Sequence, residues 1–226
     1  MKIAVLGTGM VGQALAGRLA ELGHDVTVGT RDVAATLART TPDGMGNPPY
    51  AVWAAEHPQV RLATLADAAA GAELLVNATS GGVSIAALQA AGTDNLTGKI
   101  LVDIANPLDF DNGFPPTLFV KDTDSLGEQI QAAFPQLRVV KALNTLTATL
   151  MVNPKALADG DHSIFVSGND ADAKKTVTEI LESFGHTDVV DLGDITTARG
   201  TEMLLPLWLR LMGALDTPMF NLKVVR

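Results

Sequence analysis

"MKIAVLGTGMVGQALAGRL", residues 1–19, holds the reading on which the fold turns. A short apolar run ends at Leu6, three glycines follow (Gly7, Gly9 and Gly12), and an Ala- and Leu-rich stretch begins among them. Gly-x-Gly-x-x-Gly between a strand and a helix is the spacing of a dinucleotide-binding turn. There Gly7 permits the tight reversal, Gly9 lets the backbone approach a pyrophosphate, and Gly12 lets the helix lie close to the sheet. Thr8, Met10 and Val11 complete the cradle, whose free helix-terminal amides face the negative charge.

The rest of the chain repeats strand and helix. Short β-branched runs stand at 2–6, 25–29, 60–63, 73–77, 99–104 and 137–142, with helical segments at about 10–22, 32–40, 64–70, 82–91 and 124–134. Continuous apolar strands alternating with helices predict a parallel sheet covered on both faces. The fold class is therefore α/β, a doubly wound, mostly parallel Rossmann sheet. Beyond it the sequence predicts a strand at 162–168, a helix at 170–184, a strand at 187–191, a long helix at about 196–215 and a terminal strand at 218–225. The expected division is a nucleotide-binding domain, 1–145, and a small C-terminal α/β lobe, 146–226, which completes an acceptor cleft.

Residues 41–59 (with Pro42, Gly44, Gly46, Pro48, Pro49 and Pro58) and residues 106–123 interrupt this rhythm and read as loops. Tyr50 and Trp53 in the first are expected to pack rather than cap a cofactor. His24 and His186 each follow a glycine that ends a helix, in "LGHDVTV" (22–28) and "FGHTDVV" (184–190), and read as turn residues.

Composition narrows the partners. A formal net charge of −9 argues against a nucleic-acid or anionic-membrane surface. The absence of cysteine excludes disulfides and thiolate chemistry and fits a cytoplasmic protein. The most apolar late stretch, "MLLPLWLRLMGAL" (203–215), is broken by Pro206 and Arg210 and is shorter than the roughly 20 residues a membrane span needs. No metal site is expected; "DGDH" (159–162) matches no ligand spacing.

In an NAD site the second strand ends near an acid that holds the ribose hydroxyls. Here "DVTVGTRDV" (25–33) places Thr30 and Arg31 at that point. An acid would repel a 2′-phosphate, whereas a hydroxyl and a guanidinium bind one, so the pocket reads as NADP. At the other strand ends stand Ala78, Thr79 and Ser80, then Asn106-Pro107, then Asn144 and Thr145. These neutral groups suit ring positioning, with Thr79, Asn106 and Asn144 foremost, and no catalytic residue is assigned. No Tyr-x-x-x-Lys pair or other obvious proton donor is present; Lys141 lies within a strand and is expected to point elsewhere. The pattern favours direct hydride transfer between two cofactors. An NADP-dependent reductase of a small carbonyl or imine, and a non-catalytic NADP-binding sensor, stay open as alternatives.

On these residues the chain resembles the NADPH:F420 oxidoreductase family along nearly its whole length. The matching pieces are "IAVLGTGMVG", "VGTRD", "VDIANPL" (102–108), "VVKALNTL" (139–146), "SIFVSGNDADAK" (163–174) and "LGDITTARGTEMLLPLWLRLMGA" (192–214). The related transmembrane ferric reductases share the nucleotide domain. The resemblance implies that Thr30 and Arg31 hold the NADP phosphate and that the small-molecule co-substrate is the deazaflavin coenzyme F420. Because that coenzyme has an anionic tail, Arg199 and Arg210 are candidates to face the cleft. The apolar terminal segments suggest a homodimer.

Overall fold

Alternate residues of the first strand face opposite sides of the sheet, and each side is apolar. Ile3 and Val5 join one core cluster while Ala4 and Leu6 join the other, and all four are buried. Leu74 and Val76 against Leu75, and Ile100 and Val102 against Leu101, repeat the division. A strand buried on both faces is what a continuous apolar run encodes. Each fully buried Leu, Ile or Val contributes about 1.5–3 kcal/mol.

The structure, a computed structural model, describes residues 1–42 and 46–226; Gly44 of the predicted 41–59 loop lies outside the described residues. The strands are β1 (Lys2–Leu6), β2 (Asp25–Thr30), β3 (Arg61–Thr64), β4 (Leu74–Asn77), β5 (Ile100–Asp103), β6 (Leu108–Asp109), β7 (Thr117–Leu118), β8 (Arg138–Ala142), β9 (Ser163–Gly168) and β10 (Asp188–Gly193). One eight-stranded sheet runs in the order β10-β9-β8-β5-β4-β1-β2-β3. Six neighbouring strands from β3 to β8 are parallel, β9 turns antiparallel to β8, and β10 runs parallel to β9. Chain order reverses between β1 and β4, where Leu6 lies opposite Asn77. The carboxyl ends there form the crevice in which such sheets bind ligands.

One face is covered by the helices Met10–Glu21 and Ala171–Phe184, through Leu15, Leu19, Val177 and Leu181. The other is covered by Leu65–Gly71, Ser84–Ala91 and Leu126–Ala133. Local signals fix their starts: Asp170 accepts from the Ala173 amide (2.7 Å), and the Ser125 hydroxyl accepts from the Glu128 amide (3.1 Å) while donating to the Glu128 carboxylate (2.8 Å).

Four sequence expectations are corrected. The 41–59 segment contains a helix, Tyr50–Glu56; Tyr50 is buried in the core and Trp53 stacks on His57. The 106–123 loop contains the antiparallel ribbon β6–β7, whose two-residue strands are too short to show a periodicity. The helix predicted over 196–215 is a 3₁₀ turn followed by Ala198–Met203 and Leu205–Leu215. The last carries Pro206 in its first turn, and the proline's ring and missing N–H prevent one continuous helix. The terminal strand predicted over 218–225 does not form. That segment is tied instead to the start of β9, through Ser163 N to Leu222 O (2.9 Å) and Val224 N to Ser163 Oγ (2.9 Å). Residues 146–226 thus extend the sheet of residues 1–145 with β9 and β10.

Candidate NADP site and its buried polar relay

The glycine turn is built so that side chains cannot enter it. Gly7 has φ +123°, and a Cβ there would lie 2.5 Å from the Ala78 carbonyl oxygen; a Cβ on Gly12 would lie 2.1 Å from the Gly7 oxygen. A Cβ on Gly9, by contrast, would meet nothing within 4 Å, because it would project into the open cradle. Gly9 is also the N-cap of Met10–Glu21 and offers no side-chain partner to the first amides. Those donors are left for a ligand anion, so the residues fit a dinucleotide pyrophosphate. Met10 is exposed beside them, Val11 is half-buried, and the Gln13 side chain holds the Thr8 carbonyl (2.9 Å). Gln13 was not singled out in the sequence; no spacing rule marks it.

Thr30 ends β2 and Arg31 follows it, exposed and in no ion pair among the described residues. Asp32 does not take up the guanidinium. Its carboxylate caps the helix Val33–Ala38 by accepting from the Ala35 amide (2.9 Å). The Thr36 hydroxyl donates to the Asp32 carbonyl (2.7 Å), so Thr30, 2.8 Å away, gives its own proton to Thr36. Arg31 is therefore the ready donor for a phosphate, and Thr30 must rotate its hydroxyl to join it.

At the centre of the sheet the other predicted residues converge. Ala78 abuts Gly7, Thr79 follows it half-buried, and Ser80 is exposed. Gly81 lies so close to Asn106 that a Cβ would sit 2.0 Å from its carbonyl oxygen. Asn106 and Asn144 are paired reciprocally: Asn106 Nδ2 donates to the Asn144 carbonyl (2.8 Å) and Asn144 Nδ2 to Asn106 Oδ1 (3.0 Å). Pro107 is buried. Leu143, with φ +60°, strains the backbone just before Asn144, a cost that only a site over-determined by its surroundings retains.

Behind this edge lies a network that sequence reading missed. Lys141 is 1% exposed; its Nζ meets Asp103 Oδ2 (2.9 Å) and Glu202 Oε1 (2.7 Å). Burial alone would push this ammonium down, but Asp103 and Glu202 outweigh it and raise it above the ordinary lysine value. Glu202 also accepts the amides of Leu126 (2.8 Å) and Gly127 (3.0 Å), at the N-terminus of Leu126–Ala133. On the other side Asp103 Oδ1 accepts from Asn77 Nδ2 (2.8 Å), and Asn77 Oδ1 accepts from the Thr79 hydroxyl (2.7 Å). Glu202 falls far along the chain from Lys141 and on a separate element, so no local pattern could have joined them.

The two arginines expected at the cleft differ. Arg199 is engaged by Glu128, with Nε to Oε2 at 2.8 Å. Arg210 is exposed and, with Lys121, lines a cavity of about 360 Å³ between the β6–β7 ribbon and the last helix; neither forms an ion pair among the described residues. No described helix is long and apolar enough to cross a membrane, and no described cluster of His, Asp and Glu could hold a metal ion.

A glycine cradle at the switch point, followed after β2 by an arginine without an ion pair among the described residues, is the arrangement of a dinucleotide-binding Rossmann sheet. Comparison with known proteins agrees. The family model for NADP oxidoreductase, coenzyme F420-dependent, matches residues 2–107. A crystal structure of a protein from Arthrobacter sp. FB24, provisionally designated an F420-dependent NADP-reductase, is 66% identical with a TM-score of 0.97, covering 100% of both chains. The F420-dependent NADP reductase of Methanothermobacter marburgensis is 27% identical over 93% of this chain and 92% of its own. Rat metalloreductase STEAP3 is 28% identical over 92% of this chain, which spans only 38% of its length. The chain belongs to the coenzyme F420-dependent NADP oxidoreductase family, and the resemblance read from the sequence is borne out.

Proposed function

We propose that the chain passes a hydride between NADP(H) and the deazaflavin coenzyme F420, or an acceptor of similar flat shape. The observation that carries this reading is the chemistry of the carboxyl edge. Thr79, Asn106 and Asn144 are neutral, and the buried Lys141 is held by two carboxylates. Bound NADP(H) supplies or accepts the hydride at its nicotinamide ring. The chain's own work is then binding and orientation. Gly7, Gly9 and Gly12, with the amides of Thr8, Met10 and Val11, hold the pyrophosphate. Thr30 and Arg31 select the 2′-phosphate, and Ala78, Thr79, Ser80, Asn106, Pro107 and Asn144 line the nicotinamide side. Residues 146–226 complete the acceptor side.

Reduction of a small carbonyl or imine would call for a proton donor in the pocket. Lys141, weighed for that role, gives its protons to Asp103, Glu202 and the Ala105 carbonyl. The names of the Methanothermobacter and Arthrobacter relatives support the deazaflavin. The test is NADPH oxidation with purified F420, followed by loss of the oxidised deazaflavin absorbance, with NADH as control. Rapid loss with NADPH and little with NADH is expected. Tight NADPH binding with no loss would remove F420 and keep the cofactor site.

A further inference from the structure

The hydrogen-bond polarity of the relay behind Thr79 can be assigned group by group. Asp103 lies against the Lys141 ammonium, so both its oxygens are acceptors. Its Oδ1 therefore fixes the Asn77 amide with Nδ2 towards Asp103 (2.8 Å), and the second Nδ2 proton points to Ser84 Oγ (3.1 Å). Asn77 Oδ1 must then face Thr79. It accepts both the Thr79 hydroxyl (2.7 Å) and the Thr79 amide (3.3 Å). A threonine hydroxyl has one proton, and this one is spent inward. The remaining neighbour, Ser84 Oγ at 3.0 Å, has its own acceptor in the Ser80 carbonyl (3.2 Å). Thr79 is half-buried, one residue from the Ala78 carbonyl that touches the first cradle glycine. Its hydroxyl thus presents an oxygen lone pair, not a proton, to whatever occupies the crevice.

We infer that Thr79 Oγ1 accepts a hydrogen bond from the carboxamide N–H of the nicotinamide, its polarity set by the chain Lys141–Asp103–Asn77. This rests on the reading that the nicotinamide lies at the carboxyl ends of β1 and β4. The contact makes Thr79 a positioning residue: by holding the carboxamide it fixes the rotation of the ring about its bond to the ribose, and hence the face turned to the acceptor.

The test is calorimetric binding of NADP⁺ and of its 3-acetylpyridine analogue, in which a methyl group replaces the carboxamide nitrogen, to the full chain and to Thr79→Val and Thr79→Ser. The unaltered protein should bind the analogue about tenfold more weakly, the worth of one such hydrogen bond. Thr79→Val should weaken NADP⁺ by a similar factor, leave the analogue unchanged and so abolish the discrimination; Thr79→Ser should restore it. Equal weakening of both ligands by Thr79→Val, or a discrimination that survives it, overturns the inference. Asp103→Asn, which can donate to Asn77 and invert the relay, should also erase the discrimination; if it fails to fold, the Thr79 pair still decides. None of these measurements contains F420. Success or failure here is separate from the outcome with that acceptor.

Discussion

Replacing Lys141 with methionine tests the buried network directly. Methionine keeps the bulk of the stem and removes the ammonium, leaving Asp103 and Glu202, at 0% and 2% side-chain exposure, without their shared cation. Breaking a buried pair in this way costs about 3–5 kcal/mol, far above the ~0–1 kcal/mol of an exposed pair. For a chain of this size each kcal/mol moves the melting temperature by about 2–4 °C, so a fall of roughly 6–20 °C is expected. The remaining partners differ: Glu202 keeps two helix-terminal amides, whereas Asp103 keeps the Asn77 side chain and the longer Ala105 amide contact at 3.3 Å. Asp103 is thus the group left most exposed to the loss, and Asp103→Asn in the Lys141→Met background should recover more than 1 kcal/mol relative to additivity. Urea unfolding of the four proteins at pH 7 gives the cycle. A cost below about 1 kcal/mol at pH 7, or costs that simply add, would refute the reasoning.

Gly9→Ala and Gly12→Ala should separate binding from stability: the first leaves the melting temperature unchanged and weakens NADP⁺ by tenfold or more, while the second lowers both, as calorimetry and thermal melts will show. Arg31→Ala should cost NADPH about 1.5–3 kcal/mol, roughly 10- to 150-fold in Kd, and leave NADH unchanged; equal loss of both would remove Arg31 from the phosphate. His186, pushed down to about 4 by burial, is neutral in the native state. Its folded value lies below the ordinary 6.5, so the stability it contributes is complete above pH 6.5 and is lost as pH falls from there to about 4. The loss should approach about 3 kcal/mol, and His186→Phe should flatten the unfolding profile over that interval.

The sequence was legible where one residue type has one physical use. Gly7 and Gly12 could be read because only an absent Cβ fits 2.1–2.5 Å from a carbonyl oxygen, and the strands because both faces are apolar. Asn106 and Asn144 could each be placed at a strand end, but their mutual pairing could not, since it depends on β5 and β8 being neighbours. Lys141 read only as a polar interruption of a strand, because both its partners are brought to it by tertiary structure. The segment at 218–225 misled for the opposite reason: its Val224 and Val225 suit a strand, yet the structure uses that stretch as a tether to Ser163.

The antiparallel return of β9 bears on how such a protein can be inherited. A Rossmann unit ending after β8 would leave that strand as an open edge and strip Lys141 of Glu202. Recombination that moved only the nucleotide-binding segment would leave the Lys141 ammonium one acceptor short and the Leu126 and Gly127 amides without theirs. The two segments are therefore coupled through one buried ion-pair network.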